Sequence, residues 1–104
     1  MATKLAVLQT QEQVIADIKE LIDDGKPVGY LFKDPHRISA EKDFLVENPE
    51  DRKVHVTLAP WILLSADNEV LVPKHQVVTI VEPIDSVKKM YSEKLNGSDG
   101  TSTD

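Results

Sequence analysis

Lys74 and His75 stand side by side in VLVPKHQVVTIVEP. An ammonium can meet a phosphate, and an imidazole can stack on a base or hydrogen-bond to its edge, so the pair suits single-stranded RNA. Read only as surface turn residues, they need no function at all. Lys33, His36 and Arg37 form a second small basic cluster beside Tyr30 and Phe32. Its simplest reading is a solvated loop next to two core aromatics, with His36 and Arg37 as secondary RNA-binding candidates. His55 alternates with Val54 and Val56 and reads as an outward strand residue rather than a ligand. The three histidines show no metal-ligand spacing, so no metal is expected.

Catalytic groupings are thin. The chain has no cysteine, which excludes disulfides, thiol nucleophiles and thiolate zinc sites and suits an intracellular setting. Four glycines at positions 25, 29, 97 and 100 cannot form a phosphate-cradling loop. Asp23-Asp24 precedes Gly25-Lys26 and is explained by turn chemistry. Neither catalysis nor a cofactor is expected. The formal net charge of −6 argues against a bulk duplex-DNA binder but leaves room for a small basic patch multiplied by symmetry.

The elements that must position these residues follow from pattern. At 104 residues and 40 % apolar content, the chain is the size of one globular domain. MATKLAVLQT lacks a long apolar run behind basic residues, so no signal peptide is expected, and no stretch is long enough to cross a bilayer. Lys4–Thr10 reads as a strand, and KVHVTLAP as a half-buried strand that must bend, bulge or reach an edge at Pro60. VLVP and QVVTIVEP are two further β-rich pieces, and SADNE is a turn. Glu41–Lys53, with its Asn48-Pro49 pair, reads as an excursion or long loop.

In PIDSVKKMYSEKLNG, Ile84, Val87, Met90, Tyr91 and Leu95 form a helical stripe. Asp85 is the expected cap and Asn96-Gly97 the expected close. The domain is thus 1–96, with a polar, disordered tail over 97–104. Gln11–Asp24 is ambiguous. Val14, Ile15, Ile18, Leu21 and Ile22 share one helical arc, Thr10 and Gln13 have capping-box spacing, and Gly25 can terminate a helix. Pattern alone favours a helix there, and with it a small α/β domain.

Two stretches carry a different implication. In LAVLQTQEQVIADIKEL, Val14, Ala16 and Ile18 occupy the apolar-x-Gly-x-apolar places of the first Sm motif, with alanine at the glycine position. In VLVPKHQVVTIVEP, Lys74 and His75 match the Lys-His pair of the closing motif of the bacterial Sm-like RNA chaperone, and Thr79, Ile80 and Val81 continue its strand. The chain therefore resembles the Sm-like family, and its arrangement is similar to small Sm-like proteins of cyanobacterial phages. Pro73 stands where the chaperone has tyrosine, the only clear helix follows the last strand rather than preceding the first, and the Asp-x-apolar-apolar-Asn signature is absent.

The resemblance implies an all-β fold: a five-stranded, strongly bent, Sm-like open barrel with a C-terminal helix. The opening stretch becomes the second strand, turning at Asp23-Asp24-Gly25-Lys26, where Gly25 supplies a positive φ. The implied assembly is a homo-oligomeric ring of about five to seven copies, in which the fourth strand of one copy pairs with the fifth of the next. Lys74 and His75 would converge on its pore. The implied partner is single-stranded RNA, with no membrane contact, in the cytoplasm of a bacterial or phage-infected cell. Two alternatives stand beside it: a phage-type ring or adaptor that binds protein and no nucleic acid, and a monomeric α/β binding module.

Overall fold

Asp24 and Gly25 both adopt left-handed φ, +53° and +76°. A two-residue turn with both central residues at positive φ matches the twist of a hairpin, and an Asp-Gly pair is its usual sequence. Strands β2 (Gln13–Asp23) and β3 (Lys26–Lys42) run antiparallel from this turn. The computed structural model describes residues 2–42 and 54–102. Its other elements are β1 (Ala2–Leu8), β4 (Val54–Pro60), β5 (Glu69–Pro73), β6 (Val77–Val81) and helix α1 (Asp85–Ser102). A single 3-10 turn, Lys74–Gln76, separates β5 from β6.

All pairings among the described residues are antiparallel, in the order β4-β3-β2-β1-β6, with β5 also on β3. The all-β expectation holds, with six strands rather than five. β4 pairs with β3 from His36 to Lys42, and β5 pairs with the same edge of β3 from Gly29 to Lys33. The two lie end to end, one strand's place interrupted by residues 61–68. β4 ends at Pro60, as a residue without an N–H requires. β5 and β6 do not pair, so the sheet stays open.

The Gln11–Asp24 stretch is strand, not helix. Val14, Ala16 and Ile18 join Ala6, Leu8, Phe32 and Val72 in the core on one face. Ile15 points the other way and is also fully buried. From Val14 to Ile18 this central strand is covered on both faces and reads as a near-continuous apolar run, which supplies the first part of the helical arc; Leu21 and the exposed Ile22 complete it near the hairpin turn. Thr10 is a turn residue rather than a helix cap: its hydroxyl donates to Glu12 Oε1 at 2.9 Å and accepts the Glu12 amide at 3.4 Å.

Helix α1 departs from expectation at both ends. Ile84 supplies the carbonyl that accepts the Val87 and Lys88 amides, so Asp85 stands in the first turn rather than at the cap. A carboxylate there meets the positive end of the helix dipole. At the other end the helix passes Asn96-Gly97 and runs to Ser102, into the segment expected to be a disordered tail. Gly97 and Gly100 each cost about 1 kcal/mol relative to alanine, so these are its weakest turns. Glu82 ties the helix to the sheet through Lys88 and Lys4, both at 2.6 Å. The core of the expected Glu41–Lys53 excursion, 43–53, lies outside the described residues, as does the side chain of His55.

Candidate functional site

The Lys74–Gln76 turn begins where Pro73 sets an extended φ of −62° and closes with the Val77 amide on the Lys74 carbonyl. It is fastened from both sides. The Gln9 amide donates to the Gln76 carbonyl at 2.8 Å, and Gly29 opposes Pro73 across the β3–β5 ladder. A Cβ at Gly29 would lie 2.9 Å from the Val72 carbonyl oxygen, so that close approach requires glycine. Lys74 and His75 are both exposed and project from a backbone held at each end. Neither side chain has a hydrogen-bond or ionic partner among the described residues.

His36 and Arg37 sit elsewhere. Gly29 marks the turn end of β3, whereas His36 is seven positions further along it, roughly 20 Å away at strand rise. The two basic groups are not brought together within one chain. Lys33, His36 and Arg37 lie within a strand rather than a loop. Arg37 is exposed, but His36 is buried.

What surrounds His36 is the most constructed part of the molecule. Ile15 pairs with His36 and Asp17 with Lys33, which leaves Asp34 and Pro35 together opposite Ala16. That is a β-bulge, with Asp34 in the left-handed region at φ +51°. The extra residue turns backbone groups out of the ladder, and each finds a partner. The Asp34 amide donates to the Asn68 carbonyl at 2.6 Å, and the Trp61 amide donates to the Pro35 carbonyl at 3.0 Å. The bulge therefore holds both ends of the 61–68 loop. His36 Nδ1 lies 2.9 Å from the Asp34 carbonyl, which can only accept, so Nδ1 carries the proton.

Tyr91 of α1 closes the arrangement. Its hydroxyl donates toward the Asp34 and Lys33 carbonyls at 3.0 and 3.2 Å, and its ring meets His36 edge-on at 5.6 Å. Burial first, then the carboxylates of Asp17 and Asp34, push the Tyr91 hydroxyl above its ordinary value, so it remains a protonated donor. Between the loop, the bulge and α1 lies a cleft of about 430 Å³. The helical stripe marks Tyr91 as apolar, and nothing in the local pattern signals its hydroxyl contact with β3. The signal for the bulge was Asp34-Pro35 inside a β-rich run, since a mid-strand proline belongs at an edge or a bulge. No cluster of three or more His, Asp or Glu side chains among the described residues could hold a metal.

These features define a small, open, antiparallel β-sheet protein with a helix packed on one face and a pinned turn between two of its edge strands, β5 and β6. The chain belongs to a family of unknown function, DUF6561, whose model matches residues 1–96. No curated protein matches it. No helix among the described residues is long and apolar enough to cross a membrane.

Proposed function

We propose that this is a non-catalytic, Sm-like protein that assembles head to tail into a ring and binds single-stranded RNA at Lys74 and His75. The observation that carries the reading is the placement of exposed apolar residues on two sheet edges that no other strand among the described residues pairs with. Leu71 on β5 is 64 % exposed, and Val78 and Val81 on β6 are 58 % and 43 % exposed. Both strands have five residues. An unpaired edge with exposed apolar side chains is a template for another strand. Pairing the β5 edge of one copy with the β6 edge of the next covers both, and the contact is heterologous, as rings require.

The Lys-His turn joins those two edge strands, so assembly would repeat it around the axis. That offsets the acidity of a chain with net charge −6 by local concentration of cations. The alanine double variant Lys74→Ala/His75→Ala should weaken oligo-uridine or oligo-adenine binding by roughly tenfold or more while leaving assembly intact, since a stacked base alone contributes about 1–3 kcal/mol. Wild-type protein with no salt-sensitive binding to either RNA removes the RNA half of the reading.

A second reading, a ring or adaptor for protein, draws on the loop tip. Ile62, Leu63 and Leu64 are 46, 74 and 99 % exposed in succession, which suits an apolar protein contact better than a nucleic acid. Assembly without RNA binding would favour it.

A further inference from the structure

The cleft beside the β3 bulge contains no residue of the Lys-His turn, and it shares Val70 with β5, the strand proposed above as an assembly edge. Its volume of about 430 Å³ lies in the range of small-ligand sites. His36 forms part of its wall and is 9 % exposed. Nδ1 is committed to the Asp34 carbonyl, and Nε2 has no partner among the described residues. No fully buried side-chain nitrogen or oxygen lacks a partner among the described residues, so Nε2 keeps some accessible surface, and His36 is one of the residues that line the cleft. In the neutral ring a protonated Nδ1 leaves Nε2 as a lone-pair acceptor.

The charged residues on the wall are mostly acidic, and Ser65 and Asn68 add neutral polar groups. Two acidic residues, Asp34 and Asp67, line it with one basic residue, Lys94, on a flexible stem at the α1 side. Lys94 makes no salt bridge with either. Ile62, Val70 and Leu95 supply apolar wall. A site of fixed acceptors, excess negative charge and apolar sides complements a ligand with N–H donors, positive charge and an alkyl arm. Phosphates and carboxylates are disfavoured by the same carboxylates.

We propose that this cleft binds an alkyl guanidinium or ammonium, with one N–H donated to His36 Nε2 and the charge facing Asp34 and Asp67. Such a group can come from a free amine or from an arginine or lysine side chain on a partner protein.

The test is titration of the full chain with agmatine and with N-acetyl-arginine methylamide, followed by NMR at the His36 ring and the loop amides. The citrulline analogue serves as the neutral control. Saturable shifts confined to residues 34–36, 61–68 and the Lys94 turn are expected with the cations and not with citrulline. Asp67→Asn should weaken binding roughly two- to fivefold, the range of an exposed charge pair, and Lys94→Met should tighten it by a similar factor. Asp34→Asn is the second weakening variant, and it keeps the bulge because asparagine tolerates positive φ. Agmatine binding without the peptide form assigns a free amine, and equal or tighter binding of the peptide form assigns a partner's side chain. No saturable shift at 10 mM with either cation (roughly the weakest affinity worth assigning), equal binding of citrulline, or indifference to both Asp67→Asn and Lys94→Met overturns the proposal.

Discussion

Tyr91→Phe and Tyr91→Ala separate two contributions that meet at one side chain. The ring is 3 % exposed and packs edge-on against His36, while the hydroxyl reaches the two carbonyls turned out by the bulge. A hydroxyl has one proton, so phenylalanine removes one net hydrogen bond, about 1 kcal/mol. The Asp34 carbonyl still has His36 Nδ1, which keeps the loss below that of a fully orphaned acceptor. Alanine also removes the buried ring and leaves a cavity, about 3–5 kcal/mol. In urea, with a slope of about 1–3 kcal/mol per molar for a small protein, phenylalanine should lower the midpoint by several tenths of a molar and alanine by more than 1 M. Equal midpoints for wild type and phenylalanine would mean the hydroxyl does not hold the bulge. An alanine cost near 1 kcal/mol would mean α1 is not docked on the sheet in solution.

Gly29→Ala should destabilise by about 1–3 kcal/mol, read as a lower thermal midpoint, because its Cβ would press on the Val72 backbone oxygen at 2.9 Å, which cannot rotate away. Glu82 is held down to about 2 by hydrogen bonds from Lys4 and then Lys88, so its contribution is present above its unfolded value of 4.5 and is lost as pH falls through about 2. The stability difference between wild type and Glu82→Gln should therefore shrink on acidification across that window, and should shrink with added salt at neutral pH because all three side chains are well exposed. A difference that grows on acidification would contradict the ion-pair assignment.

The local turn chemistry was legible in the sequence, and the long-range register was not. Asp24-Gly25 marked a chain reversal but not whether it ended a helix or closed a hairpin, Pro60 announced a strand end, and the last helix followed from its apolar stripe. Val14–Ile22 was not decidable from periodicity: Val14–Ile18 is buried on both faces, which removes the alternation of a half-buried strand, and Ile22 adds an apolar residue that is 62 % exposed. The end-to-end placement of β4 and β5 on β3 depends on pairings between residues far apart in the chain, which no local pattern encodes. His36 was singled out for its ring and its basic neighbours. The Asp34-Pro35 bulge instead turns it inward against Tyr91, a partner on a different element.

Assembly through the β5 and β6 edges is the premise on which the proposed function depends, and the mass of the particle in solution tests it most directly. Light scattering coupled to gel filtration should give a closed multiple of 11.6 kDa, about five to seven copies, and Val78→Lys on the free edge of β6 should reduce it to a folded single chain. A wild-type particle of 11.6 kDa at micromolar concentration would contradict the account.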